Sequence, residues 1–288
     1  MAKALHTSVA LFSLLFSYSA ISEPLFWKAS KGEREYVILG SVHMGKPDMY
    51  PLPSYIMSYL NDSDGLVTEV KLSESANPSL MNSEVPVTQD VLDPQQRQKL
   101  AQINNQLGYA PNAFLTAPAW QTAITLQMTQ FSKLGFQQDL GIDTYITKQA
   151  ERMNKPVYGL ETVDFQLSLF TEDPNTGQLL LIDTIENWAE NEKISQCLAK
   201  SWQAGDPVRL EALSKESEID DQLSEQFIFQ RNRDWTQKLD SATFLTKGRY
   251  LVVVGALHLV GEQSLIALLS KKGYAVSQIS KTEPVTCI

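Results

Sequence analysis

Short apolar runs rich in β-branched residues recur along the chain, and most are separated by stretches with the apolar spacing of amphipathic helices. The first two runs, residues 25–29 and 35–39, flank Lys31-Gly32 and predict a β-hairpin. Further strands are predicted at residues 65–70, 156–160, 250–254 and 274–279. Because the later runs are apolar throughout, we expect the α/β class, with a mostly parallel central sheet joined by β-α-β crossovers.

Helical segments interrupt the predicted sheet twice, at about residues 75–150 and 165–245. Asp93-Pro94 is typical of a helix start, and Gly273 is typical of a residue just past a helix end. Helices are predicted at residues 53–60, 94–107, 112–134, 141–153, 162–170, 177–203, 220–239 and 262–272. We therefore expect residues 23–288 to form a single α/β domain with a large helical insertion.

Residues 1–22 have the pattern of a secretory signal peptide. Lys3 supplies a positive charge, residues 5–20 are almost free of charge, and Ala20 and Ser22 are the small residues that a cleavage site needs. We expect cleavage between Ser22 and Glu23 and a periplasmic or secreted protein. The alternative is an uncleaved N-terminal anchor.

The composition argues against several partners. The formal net charge is −9, and Lys and Arg form no cluster, so we expect no nucleic-acid partner. No later stretch is apolar for long enough to span a bilayer, so no membrane partner is expected after cleavage. Cys197 and Cys287 could form a disulfide in an oxidising compartment. They lack the Cys-x-x-Cys spacing and the nearby histidine expected of metal ligands.

Two of the three histidines occupy matching positions. His43 and His258 each follow an apolar run and stand three residues after a glycine, Gly40 and Gly255. A single histidine at a strand end is more often an ordinary turn residue. Two histidines in the same local sequence pattern indicate that the two segments form two halves of one site.

Carboxylates follow two other predicted strands. Glu69 ends the strand at residues 65–70, and Glu161 follows the strand at residues 156–160. Ligands bind at the carboxyl ends of parallel strands, so we expect both glutamates to approach His43 and His258. Imidazoles and carboxylates together could hold a divalent transition metal such as Zn, Mn or Co. Glu161 could equally be a first-turn acid of the next helix.

Two helical segments carry further candidates. Arg231 follows the apolar residues Phe227, Ile228 and Phe229, so it could be buried. A buried Arg231 could hold one of the two glutamates or stabilise a developing oxyanion. Asp143 follows Gly141-Ile142 at a helix start, where simple capping would explain it.

The chain resembles the TraB/PrgY/GumN family, which includes the TIKI proteases. The resemblance covers most of residues 23–288. The similar segments are Leu39-Gly40-Ser41-Val42-His43, Pro51-Leu52-Pro53, Asp64, Val67-Thr68-Glu69-Val70, Gly141-Ile142-Asp143, Gly159-Leu160-Glu161-Thr162, Gln166, Trp202, Gly205-Asp206, Arg231-Asn232-Arg233, Gly255-Ala256-Leu257-His258 and Gly273-Tyr274. Ser41 stands where threonine is common in the family.

The resemblance implies that the two Gly-x-x-His histidines and a glutamate, here His43, His258 and Glu69, hold a metal. Similarity to the TIKI proteases implies a metal-dependent peptidase. More distant similarity to erythromycin esterases and ChaN-like haem-binding proteins implies a shared α/β architecture without a shared chemistry.

The first hypothesis is therefore a periplasmic or secreted metal-dependent hydrolase, with a peptide or a small ester or amide as substrate. Glu161 would act as a second ligand or general base, and Arg231 would stabilise charge in the transition state. A second hypothesis is a metal-independent esterase or amidase in which His43 is the general base and Glu69 holds it. A third is a protein that binds haem, a metal or a peptide without turnover.

Overall fold

A computed structural model describes residues 23–71, 73–77 and 85–287, and the predicted signal peptide lies outside these ranges. Within them the strands are β1 (Phe26–Lys31), β2 (Arg34–Ser41), β3 (Gly65–Thr68), β4 (Val157–Gly159), β5 (Gly248–Gly255) and β6 (Ala275–Gln278). They form one sheet in the spatial order β4-β3-β5-β2-β1-β6. The chain reaches this order through long crossovers.

The centre of the sheet is parallel. Strand β5 pairs parallel with β2 and β3, and β3 pairs parallel with β4. Strand β1 is antiparallel to both β2 and β6. Strand β5 is buried from Tyr250 to Val254, which agrees with its apolar sequence, because a central parallel strand is covered on both faces. The predicted α/β class with a mostly parallel sheet and an N-terminal hairpin is confirmed.

Helices fill the connections between strands. The α-helices are α1 (Ser54–Asp62), α2 (Thr88–Val91), α3 (Pro94–Leu107), α4 (Ala119–Lys133), α5 (Ile142–Arg152), α6 (Val163–Thr171), α7 (Pro174–Glu186), α8 (Trp188–Gln203), α9 (Pro207–Glu216), α10 (Asp221–Ser224), α11 (Gln230–Asp240) and α12 (Leu265–Lys271). Short 3-10 helices lie at Pro47–Met49, Gln138–Leu140 and Ala256–Leu259, and Glu225–Phe229 is a π-helix. Helices α2 to α5 lie between β3 and β4, and α6 to α11 lie between β4 and β5.

Helix α3 has the bounds that its sequence signals predict. The Asp93 carboxylate accepts a hydrogen bond from the Gln96 amide at 2.8 Å, which satisfies one of the free N–H groups of the first turn. Gly108 ends the helix with φ at 90°, a left-handed conformation that glycine adopts without strain.

Several other predicted helices have different bounds. Residues 177–203 form two helices, α7 and α8, because Asn187 leaves helical geometry and its side-chain amide donates to Asp183 at 2.6 Å. Helix α4 begins at Ala119 because residues 111–116 form turns. Helix α12 begins at Leu265, where Ser264 caps its first turn. Helices α2 and α9 were not predicted from the sequence.

Trp202 connects α8 to the strand that leads to His43. The side chain is fully buried in the main core around the sheet. Its Nε1 donates to the Gly40 carbonyl at 2.8 Å. The hydrogen bond satisfies a carbonyl at the point where β2 leaves the sheet, and it fixes the start of the His43 loop.

Cys197 of α8 and Cys287 form the disulfide that the sequence allowed. The two residues are 90 positions apart, so the bond restricts a long loop of the unfolded chain. Replacing both by alanine should lower the free energy of unfolding by about 2–4 kcal/mol. Chemical denaturation would measure the difference, and wild-type protein unfolded under reducing conditions should match the double variant. Equal stability of the double variant and the oxidised wild type would contradict the prediction.

Candidate active site

The sheet order brings four strand ends to one edge. Ser41 at the end of β2 pairs with Gly255 at the end of β5, so the two histidine-bearing segments leave the sheet side by side. In spatial order, the segments after β4, β3, β5 and β2 carry Glu161, Glu69, His258 and His43. The parallel strands therefore deliver the four candidate side chains to the same edge of the sheet.

Arg231 of α11 joins three of these side chains. Its Nη2 donates to Glu69 Oε2 at 2.6 Å, and its Nε and Nη2 donate to the two oxygens of Glu161 at 2.9 Å each. Its Nη1 lies 3.3 Å from His258 Nε2. Arg231 therefore holds both glutamates at once, where the sequence had left open which of them it contacts.

Other donors complete the hydrogen bonding of the two glutamates. The Gly255 amide donates to Glu69 Oε1 at 2.8 Å, and Trp235 Nε1 donates to Glu161 Oε1 at 2.7 Å. Gln166 Nε2 donates to Glu69 Oε2 at 3.2 Å and to Glu161 Oε2 at 3.3 Å. Buried carboxylates require such partners, because ionised groups are costly to remove from water.

Glu161 does not cap helix α6. Thr162 is the N-cap, and its Oγ1 accepts a hydrogen bond from the Phe165 amide at 3.1 Å. The Glu161 side chain is 6% exposed and points its charge at Arg231. The alternative interpretation of Glu161 as a simple helix-start acid is therefore wrong.

A π-helical turn precedes Arg231. The Gln230 amide donates to the Glu225 carbonyl, the i→i+5 bond that defines this turn. Turns of this kind are rare and often occur at functional sites. The Phe227 carbonyl accepts a hydrogen bond from Arg231 Nη1 at 3.1 Å. The helix thus helps to hold the guanidinium that it presents to the site.

Glu69 is an anion at neutral pH. Burial alone would raise the pKa of Glu69, but the positive charge of Arg231 and the hydrogen bond from the Gly255 amide hold it well below its usual range. Burial also works against the charge of Arg231, but its bonds to Glu161 and Glu69 raise the pKa of Arg231 overall. Glu69 and Arg231 therefore form an ion pair across the neutral range.

His258 is the buried histidine of the site. Its ring lies against Trp235, with ring centroids 4.4 Å apart, and its Nδ1 lies 2.8 Å from Asn232 Oδ1. An amide oxygen only accepts hydrogen bonds, so Nδ1 carries the proton and Nε2 keeps its lone pair. Burial lowers the pKa of His258 to about 3, which leaves the ring neutral near pH 7.

His43 is the exposed histidine of the site. Its side chain is 72% exposed, and its Nδ1 lies 3.2 Å from Asp143 Oδ2 on α5. The hydrogen bond to Asp143 raises the pKa of His43 to about 9. The two histidines therefore have opposite electrostatic settings, since one ring is buried and neutral and the other is paired with a carboxylate.

A pocket of about 280 Å³ lies beside His43. Its walls include His43, Glu69, Asp143 and Gln166, and most of its other lining residues are small and polar. Arg231 is not among the lining residues. A molecule in this pocket would meet His43 and Glu69 directly, whereas Arg231 would act on it through Glu69.

The types of donor atom present, two imidazoles and a carboxylate, are ones that divalent transition metals accept. Each histidine has its Nδ1 next to a side-chain oxygen, Asp143 or Asn232, the arrangement typical of histidines that bind a metal through Nε2. Glu69 adds a carboxylate at a neighbouring strand end. In the ranges that the structure describes, however, no three His, Cys, Asp or Glu side chains form a ready metal-binding group. Gly255 and Arg231 also engage both oxygens of Glu69.

Three residues contribute in ways that the sequence did not predict. The sequence left the role of Asp143 open, with simple capping as one explanation, but the N-cap of α5 is Gly141, and the Asp143 carboxylate contacts His43. Asn232 and Trp235 also contact the site from α11. The spacing of Arg231 and Trp235, one helical turn apart, was a signal that both side chains could share a face.

Comparisons with known proteins identify the family of the chain. The model of the TraB/PrgY/gumN family matches residues 25–278, and the chain belongs to this family. It is 34% identical to the uncharacterized protein YbaP of Escherichia coli strain K12 over 238 residues, which cover 83% of this chain and 89% of that protein. The YbaP protein of Shigella flexneri matches to the same extent.

A more distant similarity concerns a protease. The chain is 27% identical over 170 residues to a protein of Amphimedon queenslandica described as a metalloprotease TIKI homolog. The match covers 50% of this chain and 33% of that protein. No solved structure shows significant similarity. Among the described helices, none combines the length and the hydrophobicity that crossing a bilayer requires.

Proposed function

We propose that this protein is a metal-dependent hydrolase that cleaves peptide or other amide bonds. The observation that carries the proposal is the pair of histidines, each with Nδ1 held by a side-chain oxygen, together with ionised Glu69 at the strand end next to that of His258. The similarity to a protein described as a metalloprotease supports the reaction class.

His43, Glu69 and His258 would hold the metal ion. Bound Zn, Mn or Co would supply a water nucleophile near neutral pH and would polarise the carbonyl of the substrate. Asn232 keeps the proton of His258 on Nδ1. A metal ion at Nε2 would have to displace the contact with Arg231 Nη1, which lies 3.3 Å away. Gln166 contacts Glu69 and also lines the pocket, so it is placed to orient a substrate amide.

Arg231 and Glu161 would support the site without lining the pocket. The Arg231 donors are already engaged by Glu69, Glu161, His258 and the Phe227 carbonyl. We therefore propose that Arg231 fixes Glu69 and maintains its charge, instead of donating to an oxyanion. Glu161 is paired with Arg231, and it would hold the guanidinium in place instead of acting as a base.

A metal-independent hydrolase is the second candidate. It is favoured by the His43–Asp143 pair, which resembles the imidazole–carboxylate pair of a general base. Because the pKa of His43 is raised to about 9, His43 would activate water only in its deprotonated form, and the Arg231–Glu69 ion pair would be structural.

Metal analysis combined with a blind peptide-cleavage screen would distinguish the candidates. Protein purified without chelators should contain Zn, Mn or Co, and it should bind one of these ions in isothermal titration calorimetry. Cleavage detected by mass spectrometry should stop in EDTA and return when the ion is added back. His43→Gln should lose both the metal and the activity.

Other results would reject the metal-dependent proposal. Cleavage that persists in EDTA but disappears in His43→Gln would support the metal-independent candidate. Tight binding of an ion, a haem or a peptide without any product would indicate a binding protein. Unchanged metal content in His43→Gln would remove His43 from the set of ligands.

We also propose that the protein works in the periplasm or outside the cell. The disulfide between Cys197 and Cys287 supports an oxidising compartment, where such bonds form and persist.

A further inference from the structure

The segment that precedes helix α5 is joined to the His43 loop through the backbone. The Gly45 amide donates to the Gln137 carbonyl at 3.0 Å, and the Gln137 amide donates back to Gly45 at 2.8 Å. On the other side of His43, the Ile142 amide donates to the Val42 carbonyl at 3.0 Å. These bonds bracket His43 along the chain, so they fix the backbone from which its side chain projects.

Two glycines allow this close approach. A Cβ atom on Gly141 would lie 2.3 Å from the His43 carbonyl oxygen, and a Cβ atom on Gly45 would lie 2.1 Å from the Leu140 carbonyl oxygen. Both contacts are with backbone atoms and are too short for any side chain, so the two positions require glycine. The Tyr50 hydroxyl adds a hydrogen bond to the Leu140 carbonyl at 2.8 Å. Gly141-Ile142-Asp143 is therefore a docking segment for the His43 loop.

Asp143 ends this docking segment, and its carboxylate contacts the imidazole of His43. The side chain is 22% exposed, whereas that of His43 is 72% exposed and can reorient if nothing holds it. We propose that Asp143 is the positioning residue of His43, which holds Nδ1 and directs Nε2 into the pocket. The helical insertion would then be a fixed wall of the site. The purpose of this positioning rests on the proposed function, but the contact itself can be tested without it.

Asp143→Ala, the isosteric Asp143→Asn and a matched control, Asp139→Asn, would test the inference. Asp139 is an exposed carboxylate in the 3-10 helix just before the docking segment, four residues before Asp143. Long-range ¹H–¹⁵N NMR spectra of the metal-free protein report which ring nitrogen of each histidine carries a proton, and His43→Gln would assign the signals. Isothermal titration with Zn²⁺, Mn²⁺ and Co²⁺ would measure binding, and thermal unfolding would check the fold.

Both Asp143 variants should change the His43 ring signals and leave those of His258 unaltered. Asp143→Ala should weaken metal binding roughly 10–100-fold, as loss of a residue that orients a metal-binding histidine usually does. Asp143→Asn keeps an oxygen that can accept from Nδ1, so it should weaken binding less. The Tm should change little, because His43 is largely exposed and an ion pair with an exposed partner contributes little stability. Asp139→Asn should behave like the wild type.

Unchanged His43 signals in both Asp143 variants would overturn the inference, even if metal binding became weaker. Equal changes in Asp139→Asn would also overturn it, because they would show a general effect of charge. If the wild type bound none of the three ions, the metal-dependent function would fail. The NMR comparison would still decide whether Asp143 positions His43.

Discussion

Arg231→Met should lower the free energy of unfolding by about 3–5 kcal/mol, because it leaves two buried carboxylates without their cation. Glu69 is 8% exposed, and the Glu161 side chain is 6% exposed. Methionine has a similar length, so the loss would come mainly from the unpaired charges and not from a cavity. Urea denaturation, monitored by tryptophan fluorescence and circular dichroism, would measure it.

Arg233→Met is the matched control on the same helix. Arg233 pairs with Glu225 at the surface, and an exposed pair of this kind contributes about 0–1 kcal/mol. A triple variant with Arg231→Met, Glu69→Gln and Glu161→Gln should recover much of the lost stability, since no buried charge would remain unpaired. If Arg231→Met and Arg233→Met were equally stable, Arg231 would not hold the buried glutamates together.

His43→Gln and His258→Gln should both reduce hydrolysis at least about 100-fold, the lower end of what one catalytic group contributes. Their effects on stability should differ. His43 is exposed, so its replacement should change the free energy of unfolding by less than about 0.5 kcal/mol. His258 is buried against Trp235 and bonded to Asn232, so its replacement should cost about 2–3 kcal/mol.

Activity and unfolding measured on the same protein samples would check this difference. A large loss of stability in His43→Gln would mean that the His43 loop supports the fold and does not serve the site alone. Full activity in either variant would remove that histidine from the proposed mechanism. The activity measurements need the substrate found by the cleavage screen, whereas the unfolding measurements need no substrate.

The sequence was sufficient to predict most of the sheet and four of the site residues. Apolar runs of strand length mark β2, β3, β4 and β5, because strands buried on both faces have few polar positions. Parallel strands expose their carboxyl ends at a common edge, so the residues that follow them can be predicted to meet. Glu161, Glu69, His258 and His43 follow from these two rules.

The helices were harder to predict, because their ends depend on local competition for hydrogen bonds. Asp93 and Gly108 act only on adjacent backbone groups, so the bounds of α3 follow from the sequence. Asn187 could continue a helix or interrupt it, and the contacts of its side chain decide which. The π-helical turn before Arg231 has no comparable signal in the sequence.

The amino-acid sequence by itself determined the α/β class, the parallel centre of the sheet and the strand ends that carry the candidate site, because these depend on the periodicity and chemistry of short segments. Only the tertiary structure showed that Arg231 contacts both glutamates and that Asp143 contacts His43. Arg231 is 162 residues from Glu69 along the chain, and Asp143 is 100 residues from His43. Their meeting depends on how α11 and α5 pack against the sheet, which no local pattern specifies.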